Sequence, residues 1–212
     1  MPPLPHQLPP QFRSILASKQ AEITRSLAEF AAVPPEQWFY ELCYCILTPQ
    51  SRAVHADAVV QQLTQLDFQH APQDVLALLR NPDHYIRFHN VKHARLHAVQ
   101  AQWTFLSALI ENGLQSPLQI RKDLVEAVNG FGFKEASHFL RNIGVGGLTI
   151  LDRHILKCLA ECGVIDAEDR CGSTKQYLEI EKKMMGYADQ LGISVDDLDL
   201  VFWSSKTGEV RK

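Results

Sequence analysis

The residues best suited to chemistry in this chain are Lys134 and Asp152, both inside the stretch NGFGFKEASHFLRNIGVGGLTILDRH at 129–154. Each stands where folding alone gives its charge no obvious reason. Lys134 falls in the first turn of a helix that starts near Phe133, where aligned peptide dipoles disfavour a cation. Asp152 continues the apolar stripe of Ile155, Leu156 and Leu159, so its carboxylate is expected to point inward, and an inward carboxylate needs a partner or a task. A neutral amine can attack an electrophilic carbon, and a fixed carboxylate can stabilise positive charge developing beside it. For Asp152 a purely structural role is open as well. Thr149-Ile150-Leu151-Asp152 has the Ser/Thr-x-x-Asp/Glu spacing of a helix start, and aspartate is common in a first turn.

The elements that must position these groups follow from the surrounding pattern. Leu124, Val125 and Val128 give an apolar-periodic helix over about 117–129, and Asn129-Gly130 is a natural C-cap. Gly132 then suits a point of close backbone approach, and the N–H groups of the following helix aim at whatever lies in front of the turn. Such a terminus suits a phosphate, which makes Gly130 and Gly132 candidate DNA-binding residues; a plain connection between two helices is the other reading. In that following helix Ala136, Phe139, Leu140 and Ile143 form the core-facing stripe, leaving Lys134, His138 and Arg141 on the opposite face. Arg141 is accordingly a candidate DNA contact.

The rest of the chain reads as helix after helix. Spacing predicts helices over 12–30, 36–47, 52–66, 72–80, 92–112, 117–129, from 152 to about 162, 174–191 and 195–203. Val33-Pro34-Pro35 stops the first and opens the second, which is apolar on most faces and therefore central. The Pro-rich first ten residues read as loosely packed. No strand-like alternation persists and no repeat appears, so the expected class is all-α.

Composition narrows the function. A chain of 212 residues with net charge −3 can bury a substantial core. That charge is unusual for a nucleic-acid binder, yet between His84 and Ile110 there is no acidic residue, while Arg87, Lys92, Arg95 and several histidines crowd there. Beside Phe88 this run reads either as a solvated basic face or as a phosphate-tracking edge. The 5 cysteines are odd in number and follow no secretory signal, which predicts reduced thiols in the cytoplasm. No run is long and apolar enough to span a membrane.

Taken together, KEASHFLRNIG (134–144) and LDRHIL (151–156) resemble the short 8-oxoguanine DNA glycosylase/lyase family first described in archaea, within the helix-hairpin-helix DNA glycosylases. ELCYCILTPQ (41–50), RFHNVK (87–92) and LDLVFWSSKTGEVRK (198–212) resemble the same family, so the likeness runs from about residue 36 to the last. It implies a two-lobed fold, with 34–145 forming one lobe that ends in the hairpin, 11–33 plus 146–212 forming the other, and an active-site cleft between them. It implies Lys134 as the nucleophile and Asp152 as its partner. The base-handling residues carried over are Trp203, whose other reading is a core tryptophan, Phe88, and Lys212 with its carboxylate. Gln50, after the Thr48-Pro49 break, is expected either to fill the space left by a flipped base or simply to end its helix. The partner implied is double-stranded DNA containing 8-oxoguanine, met by a monomer at the nucleoid without cofactor or metal. A DNA-binding hairpin without catalysis, and a glycosylase for another oxidised base, are the alternatives that remain.

Overall fold

The computed structural model describes residues 7–210, and within them the chain is helical throughout with no strand. In chain order the helices are α1 (Pro10–Ala31), α2 (Pro35–Leu47), α3 (Ala53–Gln65), α4 (Leu76–Arg80), α5 (His89–Ala101), α6 (Trp103–Gly113), α7 (Pro117–Ala127), α8 (Phe133–Asn142), α9 (Arg153–Glu161), α10 (Thr174–Leu191) and α11 (Val195–Thr207), with a 3-10 turn at Pro82–His84. Two compact units share them. Val33–Ile143 forms one, and the segments up to Ala32 and from Gly144 onward form the other.

The Val33–Ile143 unit is built around α2. Proline at its first position costs no hydrogen bond, because that N–H would be unsatisfied anyway. Trp38, Phe39, Leu42, Cys43, Tyr44, Cys45, Ile46 and Leu47 are all buried, and α3, α5, α6 and α8 pack around them. Phe39 meets Trp103 edge to face at 5.3 Å, an arrangement worth roughly 0.5–1.5 kcal/mol beyond the area it buries.

That contact explains the largest departure from the sequence reading. The helix expected over 92–112 is two, broken at Gln102, which leaves helical geometry (φ −107, ψ 13) and turns Trp103 onto Phe39. Neither glycine nor proline marks the break; the Gln102 side chain supports it by donating to the Ala127 carbonyl at 3.4 Å. The first of the two helices also starts earlier than expected, at His89. Likewise the helix expected over 72–80 shrinks to α4, because Asp74 accepts the Leu76 N–H at 2.9 Å and holds the chain in a local turn first.

The hairpin of α7 and α8 closes this unit. α7 ends at Ala127 and Val128 is already extended, so the cap lies earlier than Asn129-Gly130. The Phe131 N–H donates to the Val128 carbonyl at 3.0 Å, and the tight turn needs the positive φ of Gly130 (+86). Arg121 of α7, only 1% exposed, staples the two helices. Its guanidinium lies 4.8 Å from the centre of the Phe133 ring and donates to Ser137 Oγ at 3.2 Å.

In the other unit α1 packs along α11, which also contacts α9 and α10. Phe12 meets Phe202 edge to face at 4.9 Å. Leu8 is buried and Tyr187 Oη donates to the Gln7 carbonyl at 3.0 Å; the reading of the first ten residues as loosely packed falls mostly on Met1–His6, which lie outside the described residues. Gly144 (φ +85) presses so closely on the Ala31 backbone that a Cβ would come within 2.6 Å of its Cα. Before α9 the chain has no regular secondary structure, and Leu148, Ile150 and Leu151 are buried. α10 fixes this segment: Thr149 Oγ1 donates to the buried Glu181 carboxylate at 2.9 Å, and Tyr177 Oη donates to the Thr149 carbonyl at 2.7 Å while accepting the Leu151 N–H at 3.3 Å.

Candidate active site

Lys134 is the second residue of α8 and directly follows the hairpin turn. Its side chain keeps about 30% of its surface, and its Nζ lies 3.2 Å from Glu135 Oε1. The other oxygen of Glu135 accepts the Gly132 N–H, also at 3.2 Å. One carboxylate thus caps the helix and holds the amine beside it. Only the glutamate half of a capping box exists here, since glycine has no side chain to return the bond. The sequence reading passed over Glu135 because the residue three before it is Gly132, which breaks the Ser/Thr-x-x-Glu pattern.

The two hairpin glycines differ in what they do. Gly132 is extended (φ −106, ψ −178), a conformation open to any residue, and a Cβ there would only crowd Glu135 Oε2 at 3.2 Å. Gly130 is far more constrained, because its φ of +86 favours glycine, and the space a Cβ would take is filled by the end of the Arg95 side chain, with Cζ 2.0 Å away. The guanidinium of α5 therefore lies directly against the exposed tip of the turn.

The face of α8 opposite its apolar stripe is not a solvated one. Arg141 is only 2% exposed and Ser137 is fully buried, so Arg141 cannot meet a phosphate directly, contrary to the expectation from helical spacing. Its guanidinium donates to Asn142 Oδ1 at 3.4 Å, and Asn142 in turn donates to Glu41 at 3.1 Å, so these groups belong to the packing of α8 on α2. His138 meets the buried Tyr44 ring edge to face.

Phe88 and Gln50 stand out from the same unit. Phe88 is 53% exposed and Gln50 is also exposed, and both have φ +58, a left-handed conformation unusual for residues with a side chain. The Arg87 guanidinium sits 5.5 Å from the Phe88 ring centre. Between them lies a side chain that sequence periodicity could not single out. Lys92, 2% exposed, donates to the carbonyls of Leu47 (2.6 Å) and Pro49 (2.7 Å) and to Ser51 Oγ (3.1 Å). Burial lowers its pKa to about 8, helped by the charges of Arg95, Arg87 and Lys134. Lys134 is therefore part of a local cationic cluster, with Glu135 in contact with it.

In the other unit Asp152 departs from the inward orientation expected of it. It is the N-cap of α9, half-buried, with Oδ1 accepting the N–H groups of His154 (2.7 Å) and Ile155 (2.8 Å). Thr149 does not take the cap position that the spacing allowed it, being engaged by Glu181. The cap fixes the carboxylate in space while Oδ2 has no hydrogen-bond partner among the described residues. His154 bonds the Phe202 carbonyl through Nε2 at 2.7 Å and lies 5.7 Å from the ring of Trp203, which is half-buried with Lys206 Nζ 5.7 Å from its centre. His154 thus ties α9 to the tryptophan-bearing turn of α11. Lys212 lies outside the described residues.

Cys158 and Cys162 are poorly suited to act as nucleophiles. Burial pushes the Cys158 thiol up to about 11 and the Cys162 thiol up to about 12, so neither ionises near neutrality. No helix among the described residues is long and apolar enough to cross a membrane.

Comparison with known proteins places the chain among relatives of one family. Residues 23–193 match a family described as 8-oxoguanine DNA glycosylase. The 8-oxoguanine DNA glycosylase/AP lyase of Fusobacterium nucleatum is 35% identical over 81% of each chain. Its namesake in Methanocaldococcus jannaschii is 34% identical over 84% of each, and that of Aquifex aeolicus 31% identical over 95% of this chain and 98% of its own. The crystal structure of a Methanocaldococcus jannaschii 8-oxoguanine glycosylase/lyase in complex with a 15mer DNA containing 8-oxoguanine aligns with TM-score 0.84 at 29% identity, over 95% of this chain and 98% of that one. The 8-oxoguanine DNA glycosylase of Thermotoga maritima aligns with TM-score 0.82, also at 29% identity, over 95% and 96%.

Proposed function

The chain belongs to the 8-oxoguanine DNA glycosylase family, and from that premise we propose that it removes 8-oxoguanine from duplex DNA and cuts the strand at the abasic site, with Lys134 as nucleophile. The observation that carries the assignment is the position of that amine: partly exposed at the start of α8, immediately after the hairpin turn, where no fold requirement calls for a lysine.

The chemistry follows from the groups. The damaged nucleotide leaves the stack, at a cost of roughly a few kcal/mol. Phe88 and Trp203 offer it aromatic faces, Gln50 enters the space it leaves in the duplex, and Lys212 reads the base. Lys134 attacks C1′ as a free amine, so its bond to Glu135 must open first. The N-glycosidic bond breaks as the new C–N bond forms, and the departing base takes up a proton. Asp152, its direction set by the α9 cap, stabilises the positive charge that grows on the sugar. Ring opening leaves a Schiff base between Lys134 and C1′. Loss of a C2′ proton then expels the 3′ phosphate, and hydrolysis returns the lysine. Gly130 and Gly132 bring the hairpin backbone to the phosphates. Arg141, being buried, takes no direct part. The enzyme acts as a monomer at the chromosome.

Borohydride reduction tests this directly. A covalent complex is expected between the protein and an 8-oxoguanine duplex, and Lys134→Gln is expected to abolish it while keeping the helical circular dichroism of the parent. Trapping unchanged in that variant removes Lys134 from its role, and salt-sensitive duplex binding without trapping in the parent reduces the protein to a binding module. Deleting Lys212 is expected to cost selectivity for 8-oxoguanine over undamaged guanine; unchanged selectivity counts against a reading role for it.

A further inference from the structure

Gln50 and Phe88 share a problem that the loops carrying them do not solve. Both occupy the left-handed region with φ +58, a conformation costly for a non-glycine residue that persists only where its surroundings hold it in place. Phe88 is the N-cap residue of α5 yet has no side-chain acceptor to satisfy the first turn. Gln50 sits in the short connection between α2 and α3.

The group that holds both is Lys92. It emerges from the first turn of α5, with its own N–H bonded to the Phe88 carbonyl at 3.0 Å. From there the buried side chain reaches back to the α2–α3 connection and spends all three ammonium donors on it: Leu47 O, Pro49 O and Ser51 Oγ, at 2.6, 2.7 and 3.1 Å. Two of those acceptors flank Gln50. Ser51 Oγ also accepts the N–H of Arg87, the residue before Phe88, at 3.1 Å. One amine and one hydroxyl thus bracket both strained residues from within. A cation buried near Arg87, Arg95 and Lys134 is a costly way to fill space, and an aliphatic side chain would fill it more cheaply.

We propose that Lys92 is a positioning residue for base removal, a clip that fixes Gln50 and Phe88 relative to each other so that the everted base and the gap it leaves are handled by one rigid surface. The inference rests on the pocket roles assigned above to those two residues. Lys92 itself touches neither sugar nor base.

The test separates the two half-reactions in the full-length enzyme. Lys92→Met is expected to slow single-turnover release of 8-oxoguanine by about 10- to 100-fold, the scale on which small misplacements act. Borohydride trapping and nicking at a preformed abasic site, which need no base pocket, are expected to stay within about twofold, well under that misplacement scale. Lys92→Arg, which keeps a buried donor, is expected to recover much of the base release. Equal losses in both half-reactions overturn the clip. So does a loss of trapping at abasic sites that higher pH restores, because it would assign Lys92 to the electrostatics of Lys134. Should Lys92→Met not fold, Ser51→Ala removes the shared acceptor alone, and the same split between half-reactions is expected; no split overturns the proposal. Gln50→Ala and Phe88→Ala distinguish the two levels. If neither slows base release, the pocket reading fails; if they do and the Lys92 and Ser51 variants do not, only the clip fails.

Discussion

Asp152 caps α9 and, in the proposed mechanism, also supplies charge beside the sugar, and the two roles can be separated by a single atom. Asparagine caps a helix about as well as aspartate, because its carbonyl oxygen can accept the same N–H groups of His154 and Ile155. Asp152→Asn is therefore expected to leave stability within about 0.5 kcal/mol, while base release falls steeply for want of a charge beside the sugar. Asp152→Ala should lose both, with a stability cost of about 1 kcal/mol from the missing cap. Denaturant unfolding and single-turnover kinetics on the two variants check this; equal stability losses would mean that the cap depends on charge. At this scale the sequence was legible where a residue type conflicted with its place. The lysine in a first turn was visible that way, whereas Asp152 was singled out by an inward orientation that the structure replaces with a helix cap. Arg141 was misjudged because spacing gives the face a residue occupies but not the depth of what covers that face, and its 2% exposure comes from the packing around it. Lys92 was read as one more member of a basic run, since nothing in a string of residues marks which lysine is turned inward.

Between residues and the whole lies the hairpin, whose geometry depends on α5 as much as on α7 and α8. Gly130 favours glycine because of its φ of +86, while the Arg95 guanidinium in the space a Cβ would take ends a flexible side chain that can shift. Gly130→Ala is expected to destabilise the fold by the ~1–2 kcal/mol typical of a left-handed alanine, with the flexible end of Arg95 displaced from the turn. Duplex affinity should fall with it, measurable in salt-dependent binding, whereas Gly132→Ala should be mild, since Gly132 is extended and Glu135 can give. A Gly130→Ala protein as stable as the parent would refute this account of the turn. The turn itself was readable from its glycines. The break at Gln102 was not, because a tertiary contact between Trp103 and Phe39 makes it and no local signal accompanies it.

For the molecule as a whole, the buried Lys92 leaves a mark on stability that is visible in solution. Its folded pKa of about 8 lies below the ordinary 10.5, so between those two values the unfolded chain binds more protons than the native one. Stability contributed by this group must then rise with pH across that window, and Lys92→Met must lack the rise. Urea midpoints of parent and variant at several pH values from 7.5 to 10.5 test it; parallel curves would place the folded pKa near its usual value. Helical class was plain in the apolar spacing, but no feature of α1 names α11 as the helix it packs along. That pairing joins opposite ends of the chain, and it has a cost at birth. While the ribosome is still making the middle of the protein, Phe12 has no Phe202 to rest against. At ~5–20 residues per second the helix waits on the order of ten seconds or more for its partner, with Phe12 left in water for that time.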